Sequence, residues 1–368
     1  MKENNLDLQV ILDKAKSGRE LKFEEIYKIL TLKDKESLEQ VFKAAREIRR
    51  NYFGNKIFLY GFVYFSTYCR NECTFCYYRK SNNKSPRYRK TPDEILQIAE
   101  SLMNSGVHLI DLTMGEDPAI YTENNFGSLK EIASQIKDQT NLPVMVSPGV
   151  LPEDEVLELE DCGADWYACY QETHNRDLFT ELRVNQSYDR RMETKMLAKN
   201  NGLLIEDGIL LGVGEEIEDR VNSILTMKEL GVHQGRVMSF VAQEGTPMAD
   251  SNTPPRREEL LVIAALRLVL QDRLIPASLD VDGIEGLEDR LNAGANVVTS
   301  LIPPSSGLAG VSNSTLDIDE GHRTVNGVQK VIEELDLKIA APELYKEWVE
   351  TKKMNLNHLD RDVIVCRG

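Results

Sequence analysis

Along residues 34–50, Leu38, Val41, Phe42 and Ala45 recur at helical spacing, and Gly54 is placed to follow the helix end. The first fifty residues therefore read as helices. Beyond them the pattern changes. Apolar runs of strand length appear at 57–65, 107–112, 143–147, 165–170, 203–211, 236–241, 275–279 and 296–301. Between them lie amphipathic stretches of helical length. One opens Thr91-Pro92-Asp93-Glu94, an N-cap, a proline at the first helical position and a glutamate to close the capping box. Gly106, Gly163, Gly202, Gly231 and Gly294 stand where a helix should give way to a strand, each a candidate left-handed cap.

The strand starts are spaced about 34 residues apart, the size of one strand with its crossover helix. Eight such units predict a (β/α)8 TIM barrel, with a doubly wound open sheet as the alternative. The expected organisation is a helical extension at 1–54, the barrel at 55–340, and a short C-terminal extension at 341–368. That extension reads as one helix from Pro342 and then an irregular end. In a barrel the chemistry sits at the carboxyl ends of the strands. Polar residues gather at those ends: Ser66 and Thr67, Asp111 and Thr113, Ser147, Gln171 and Glu172, Ser278 and Asp280, Thr299 and Ser300. They predict a polar pocket at one mouth.

Composition narrows the function. The 368 residues carry 44 Lys and Arg against 60 Asp and Glu, a net charge of −16. A nucleic-acid groove or an anionic membrane surface as main partner would need a basic field, so neither is expected. No apolar run approaches a membrane span, the first residues resemble no signal or transit peptide, and the expected compartment is the cytoplasm.

Three of six cysteines crowd together as Cys69-x3-Cys73-x2-Cys76 on the loop leaving the first strand. A disulfide framework would be denser in a smaller chain. Three thiolates can hold three irons of a [4Fe–4S] cube and leave the fourth open to an outside ligand. A structural zinc site needs a fourth ligand, and the nearest histidine in sequence, His108, opens a strand at the far end from the loop. A redox pair of Cys73 and Cys76 would leave Cys69 unexplained. Cys162 and Cys169 read as small core residues, Cys366 as a tail residue, and His174 and His233 as surface residues.

Cys-x3-Cys-x-Phe-Cys, with Phe75 as the aromatic, resembles the signature of radical S-adenosylmethionine (SAM) enzymes. Met114-Gly115-Glu116 is similar to their Gly-Gly-Glu motif, and the run from Gly208 to Glu215 resembles their glycine-rich fifth-strand motif, with a leucine at its isoleucine position. The stretches 64–69, 111–118, 147–150, 170–173, 182–184 and 276–280 are together similar to the methylornithine synthase family of pyrrolysine biosynthesis, related to biotin synthase and the hydrogenase maturases. The scattered remaining cysteines argue against the second cluster of biotin synthase.

The resemblance implies a complete barrel, with Cys69, Cys73 and Cys76 holding the cluster. It implies a cofactor site for SAM at Phe75, Tyr78, Gly115, Glu116, Ser147, Glu172, Arg183 and Arg191. The implied reaction converts L-lysine to (3R)-3-methyl-D-ornithine. A 5′-deoxyadenosyl radical removes a side-chain hydrogen, the Cα–Cβ bond breaks, and the fragments rejoin at the neighbouring carbon. An electron donor such as a flavodoxin or ferredoxin is the implied partner. Another mutase or lyase of the same subfamily, acting on a different small amino acid, is the alternative. A zwitterionic substrate needs a cation for its carboxylate and an acid for its ammonium. Asp111, Arg236, Ser278, Asp280 and Ser300 are the candidates.

Overall fold

The long helix near the N-terminus, Lys35–Phe53, begins where the Asp34 carboxylate accepts the Ser37 amide at 2.8 Å. It ends at Gly54, whose φ of 61° halts the helical path. With helices Leu8–Lys16 and Phe23–Leu30 it packs on the barrel's outer layer through Ile11, Leu12, Ile26, Ile29, Val41 and Ile48. In the computed structural model, which describes residues 7–122, 126–312 and 323–365, the chain then enters the repeating part of the fold.

Eight parallel strands form it: β1 Lys56–Ser66, β2 Leu109–Met114, β3 Val144–Ser147, β4 Trp166–Ala168, β5 Leu204–Leu211, β6 Gln234–Ser239, β7 Pro276–Ser278 and β8 Val297–Leu301. Their order is β6-β5-β4-β3-β2-β1-β8-β7. β6 and β7 meet only through the isolated bridge Gln234–Leu274, so the barrel is nearly closed. The open-sheet alternative is thereby excluded. Helices cover the outside, and all five glycines expected as caps have φ between 60° and 112°. The capping box at Thr91 is present: Thr91 Oγ1 accepts the Glu94 amide at 3.3 Å, and Glu94 accepts the Thr91 amide at 2.7 Å.

The amino-terminal mouth is filled. Phe58, Tyr60, Leu109, Met145, Trp166 and Leu204 from five strands meet Ala340, Tyr345 and Val349. The last two ride on helix Pro342–Val365, which continues where an irregular end was expected; Cys366 lies outside the described residues. The Tyr60 and Tyr345 hydroxyls are 2.6 Å apart, and Trp348 stacks on Trp166 at 5.9 Å. His108 is buried at this end, its Nδ1 accepting the Leu59 amide at 2.9 Å. His233 is also buried, contrary to the surface expectation. Its Nδ1 accepts the Ile205 amide at 3.1 Å and its ring packs edge-on against Trp166. Cys169 is a core residue as expected, whereas Cys162 is only half-buried, on a turn outside the core.

Candidate active site

The cysteine loop is tied down by backbone contacts. The Arg87 guanidinium donates to the carbonyls of Thr67, Tyr78, Arg79 and Asn82, so one cation replaces the secondary structure that the loop lacks. Cys73 Sγ accepts from Gln186 Nε2 at 3.0 Å and from Arg183 Nη1 at 3.7 Å. A Cβ at Gly115 would lie 2.4 Å from the Tyr68 carbonyl oxygen and 2.9 Å from Cys69 Cβ, so only glycine lets β2 approach the loop this closely. Burial pushes the Cys69 thiol up to about 11 and raises Cys76 as well. Both therefore carry protons until a metal displaces them. Among the described residues no three His, Cys, Asp or Glu side chains converge on a point that one ion would fill. Ligands to three separate irons need no such convergence, and the N–H donors aimed at Cys73 suit a cluster sulfur.

Beside the loop, at the carboxyl ends of the strands, lies a cavity that is open to solvent on one side. One end is apolar, with Phe75, Leu210, Met238 and Phe240 in a single cluster. The other end is charged. Arg236 Nε donates to Glu206 Oε1 at 2.6 Å and Nη1 to Thr299 Oγ1 at 3.2 Å. Arg236 Nη2 and Glu206 Oε2 are buried without hydrogen-bond partners. A Cβ at Gly208 would lie 2.9 Å from Arg236 Cβ, so that glycine makes room for the arginine. Asp111 accepts the Thr113 hydroxyl at 2.8 Å and the Ser147 hydroxyl at 3.0 Å. Burial, and then the neighbouring Glu206 charge, push its carboxyl up to about 6.

Glu172 also lines the cavity. Its Oε1 accepts Arg183 Nη2 at 2.6 Å, and Arg183 Nε is a further buried atom without a partner. Two non-glycine lining residues are held at positive φ: Glu172 at 67° and Ser300 at 68°. Such strain persists where surrounding bonds over-determine the backbone. At Glu172 they do. Its amide donates to Gly208 and its carbonyl accepts from Leu210, while the preceding Gln171 amide donates to buried Asp207 at 2.8 Å. Asp207 also takes Lys195 at 2.5 Å and His174 Nε2 at 3.3 Å. His174 is thus a buried partner of this knot, not the surface residue expected.

Residues 63–227 match the Radical SAM superfamily. The chain is 43% identical over 328 residues to 3-methylornithine synthase of Methanosarcina barkeri, an alignment that spans 89% of this chain and 93% of that protein. The chain belongs to the radical SAM superfamily, in its methylornithine synthase family. A crystal structure of methylornithine synthase superimposes with a TM-score of 0.87 at 42% identity, covering 92% of this chain and 99% of that one. The [FeFe] hydrogenase maturase subunit HydE of Thermotoga maritima is more distant, 31% identical over 80% of this chain and 84% of its own length. Membership of the superfamily implies SAM and a [4Fe–4S] cluster. The thiol loop and the donors around it fit the cluster.

Within this radical SAM barrel the expected site residues divide. Phe75, Asp111, Glu172, Arg236, Asp280 and Ser300 line the cavity together. Others stand behind them. Ser147 supports Asp111, Arg183 supports Glu172, and Arg191 Nε donates to the Tyr170 carbonyl at 2.7 Å. Ser278 is buried and caps the next turn, accepting the Asp280 amide at 3.3 Å. Glu116 pairs with Arg70 at 2.9 Å, and Tyr78 donates to the Gly310 carbonyl at 3.0 Å. Asp280, expected to bind substrate, already has three partners. Arg323 Nη2 meets it at 2.6 Å, the Ser300 hydroxyl at 3.0 Å and the Val311 amide at 3.2 Å. Sequence reasoning missed Arg323, Gln186 and Glu206. Only Glu206 carried a signal: with Asp207 it is one of two charges in the run 203–211, and it shares a strand face with Gly208.

Proposed function

We propose that the protein is a methylornithine synthase, a radical SAM isomerase that converts L-lysine to (3R)-3-methyl-D-ornithine. The 43% identity to 3-methylornithine synthase over nearly the whole chain supports the reaction class. The observation that carries the substrate reading is the charged end of the cavity. Arg236 keeps one buried N–H group unused, and Asp111 has hydroxyl donors but no ion pair among the described residues. Together they suit the carboxylate and an ammonium of a zwitterion. Asp280, already neutralised by Arg323, offers an acceptor of lower charge.

Cys69, Cys73 and Cys76 would hold the cluster, which with SAM supplies hydrogen-atom abstraction. Glu172, on the cavity wall, and Arg183 behind it would bind SAM. Arg236, fixed at Nε by Glu206, orients the substrate backbone. Phe75, Leu210 and Phe240 keep water from the reacting carbons. An electron carrier such as a flavodoxin or ferredoxin would reduce the cluster. No helix among the described residues is long and apolar enough to cross a membrane, which accords with a cytoplasmic enzyme.

Binding selectivity tests the substrate. With SAM present, lysine should bind more tightly than ornithine by roughly 10–200-fold, the usual effect of one methylene. Tighter binding of a different amino acid would favour another mutase or lyase of the subfamily.

A further inference from the structure

The chain is acidic overall, yet its cysteine loop is not. Residues 68–90 hold seven Lys and Arg and one Glu, a local net of +6 in a protein of net −16. Not all of that charge reaches the surface. Arg87 is spent on backbone carbonyls, Arg79 pairs with Glu72, and Lys90 pairs with a more exposed Glu94. What does reach the surface is cationic. Arg70 and Arg89 are each 45% exposed, while their partners Glu116 and Asp117 are 7% and 0% exposed, so each pair turns its positive end outward.

These residues are neighbours. Tyr68 and Arg70 flank Cys69 on the loop, and their links run to the consecutive residues Glu116 and Asp117, Arg70 to Glu116 directly and Tyr68 through Arg89 to Asp117. The Arg89 guanidinium lies 4.9 Å from the ring centre of Tyr68, an aromatic left 38% exposed next to Cys69. The Lys80 amide donates to the Asn71 carbonyl at 2.7 Å, which brings exposed Lys80 alongside Arg70. Lys84 adds a further exposed cation from the same loop, its pairing with Glu244 long at 3.4 Å and solvent-exposed, hence of little worth. Exposed cations and one exposed aromatic thus lie on and around the thiol loop.

We propose that Tyr68, Arg70, Lys80, Lys84 and Arg89 form the docking surface for an acidic one-electron carrier protein. This rests on the cluster reading above. The carrier gives up one electron and the cluster gains it, with no bond made or broken in the carrier. Charge complementarity and position favour this partner. The field of the rest of the molecule repels an acidic partner, and this patch attracts it to the side nearest the thiols. A nucleic acid would also seek cations, but a patch this small inside a strongly acidic molecule disfavours a long polyanion.

The test uses iron-loaded protein and a recombinant flavodoxin. Binding should weaken steeply with salt, and the double variant Lys80→Glu/Lys84→Glu should weaken it on the order of tenfold, the low end of electrostatic steering. Reduction of the cluster by flavodoxin, followed as bleaching of its visible absorbance, should slow by a similar factor. Iron content and reduction by dithionite should stay unchanged. Lys80→Gln/Lys84→Gln should fall between. Unchanged flavodoxin affinity and rate in the Glu variant would overturn the proposal. So would a short single-stranded RNA that binds as tightly as flavodoxin and is lost in the same variant. A wild-type protein that retains no iron would overturn the cluster reading, and the docking surface with it.

Discussion

The same eight strands end in two very different mouths. At the amino end, aromatic rings and Leu, Met and Val side chains fill the space, the Tyr60 and Tyr345 hydroxyls satisfy each other, and Trp348 stacks on Trp166. At the carboxyl end a cavity stays open, Arg236 and Arg183 each keep a buried N–H atom without a partner, and Glu172 and Ser300 are held at positive φ. One end is filled by its own side chains, with Trp166 Nε1 buried there without a partner; the other keeps charged groups around a cavity. Stability is therefore concentrated at the plugged end, and binding energy is reserved at the open end.

The largest test of that contrast is Cys73→Ala. It should remove most bound iron and all SAM cleavage, as should Cys69→Ala and Cys76→Ala, while the unfolding free energy of the iron-free protein shifts by only about 1 kcal/mol. Iron analysis beside denaturant unfolding checks both halves. Tyr345→Ala should do the opposite. Loss of a fully buried ring typically costs about 3–5 kcal/mol of stability, with the SAM and lysine affinities of the surviving folded protein intact. A loss of lysine affinity there would mean that the two mouths are coupled.

Arg236→Met should weaken lysine binding by about 2–5 kcal/mol, the usual result of removing one partner of a buried charged contact, with SAM binding kept. It also strands Glu206 as a buried unpaired charge. Adding Glu206→Gln should recover stability without recovering lysine binding, which calorimetry and thermal unfolding would separate.

The smallest effect is on pH. Asp111, raised to about 6, is charged above that pH and protonated below it. Lysine affinity should fall by up to about tenfold per unit as pH drops below about 6, and Asp111→Asn should abolish that limb. Stability runs the other way at each end. A raised carboxyl favours the folded state at low pH, and that contribution is lost as pH rises through about 6. His108 and His233 at the plugged end are held neutral by burial, with lowered pKa. The stability they contribute is present above the ordinary histidine range and is lost as pH falls below it. Acidification should therefore loosen the plugged end while the open end loses its substrate.

The barrel was legible because its periodicity is local. Strand spacing, the glycine caps and the Thr91 capping box each depend on residues close in sequence. The thiol loop was legible for the same reason. Cavity residues at strand ends, such as Asp111 and Arg236, followed from the fold rule once strands were counted. What local reasoning missed at the site is contacts across the chain. Asp280 is met by Arg323, His174 by Asp207 and Cys73 by Gln186, at sequence separations of 43, 33 and 113. A histidine between polar neighbours looks exposed until a distant carboxylate is brought to it. Glu206 is the exception, since strand alternation alone set it on the inner face.

Product identity is the most direct test of the account. The iron-loaded, reduced protein should be incubated anaerobically with SAM and uniformly carbon-13-labelled lysine, and the amino-acid pool analysed by NMR and mass spectrometry. The account predicts a product of unchanged mass in which the straight chain has become branched, with a methyl group on the carbon next to Cα. SAM cleaved to deoxyadenosine while all the lysine returns unrearranged would contradict it.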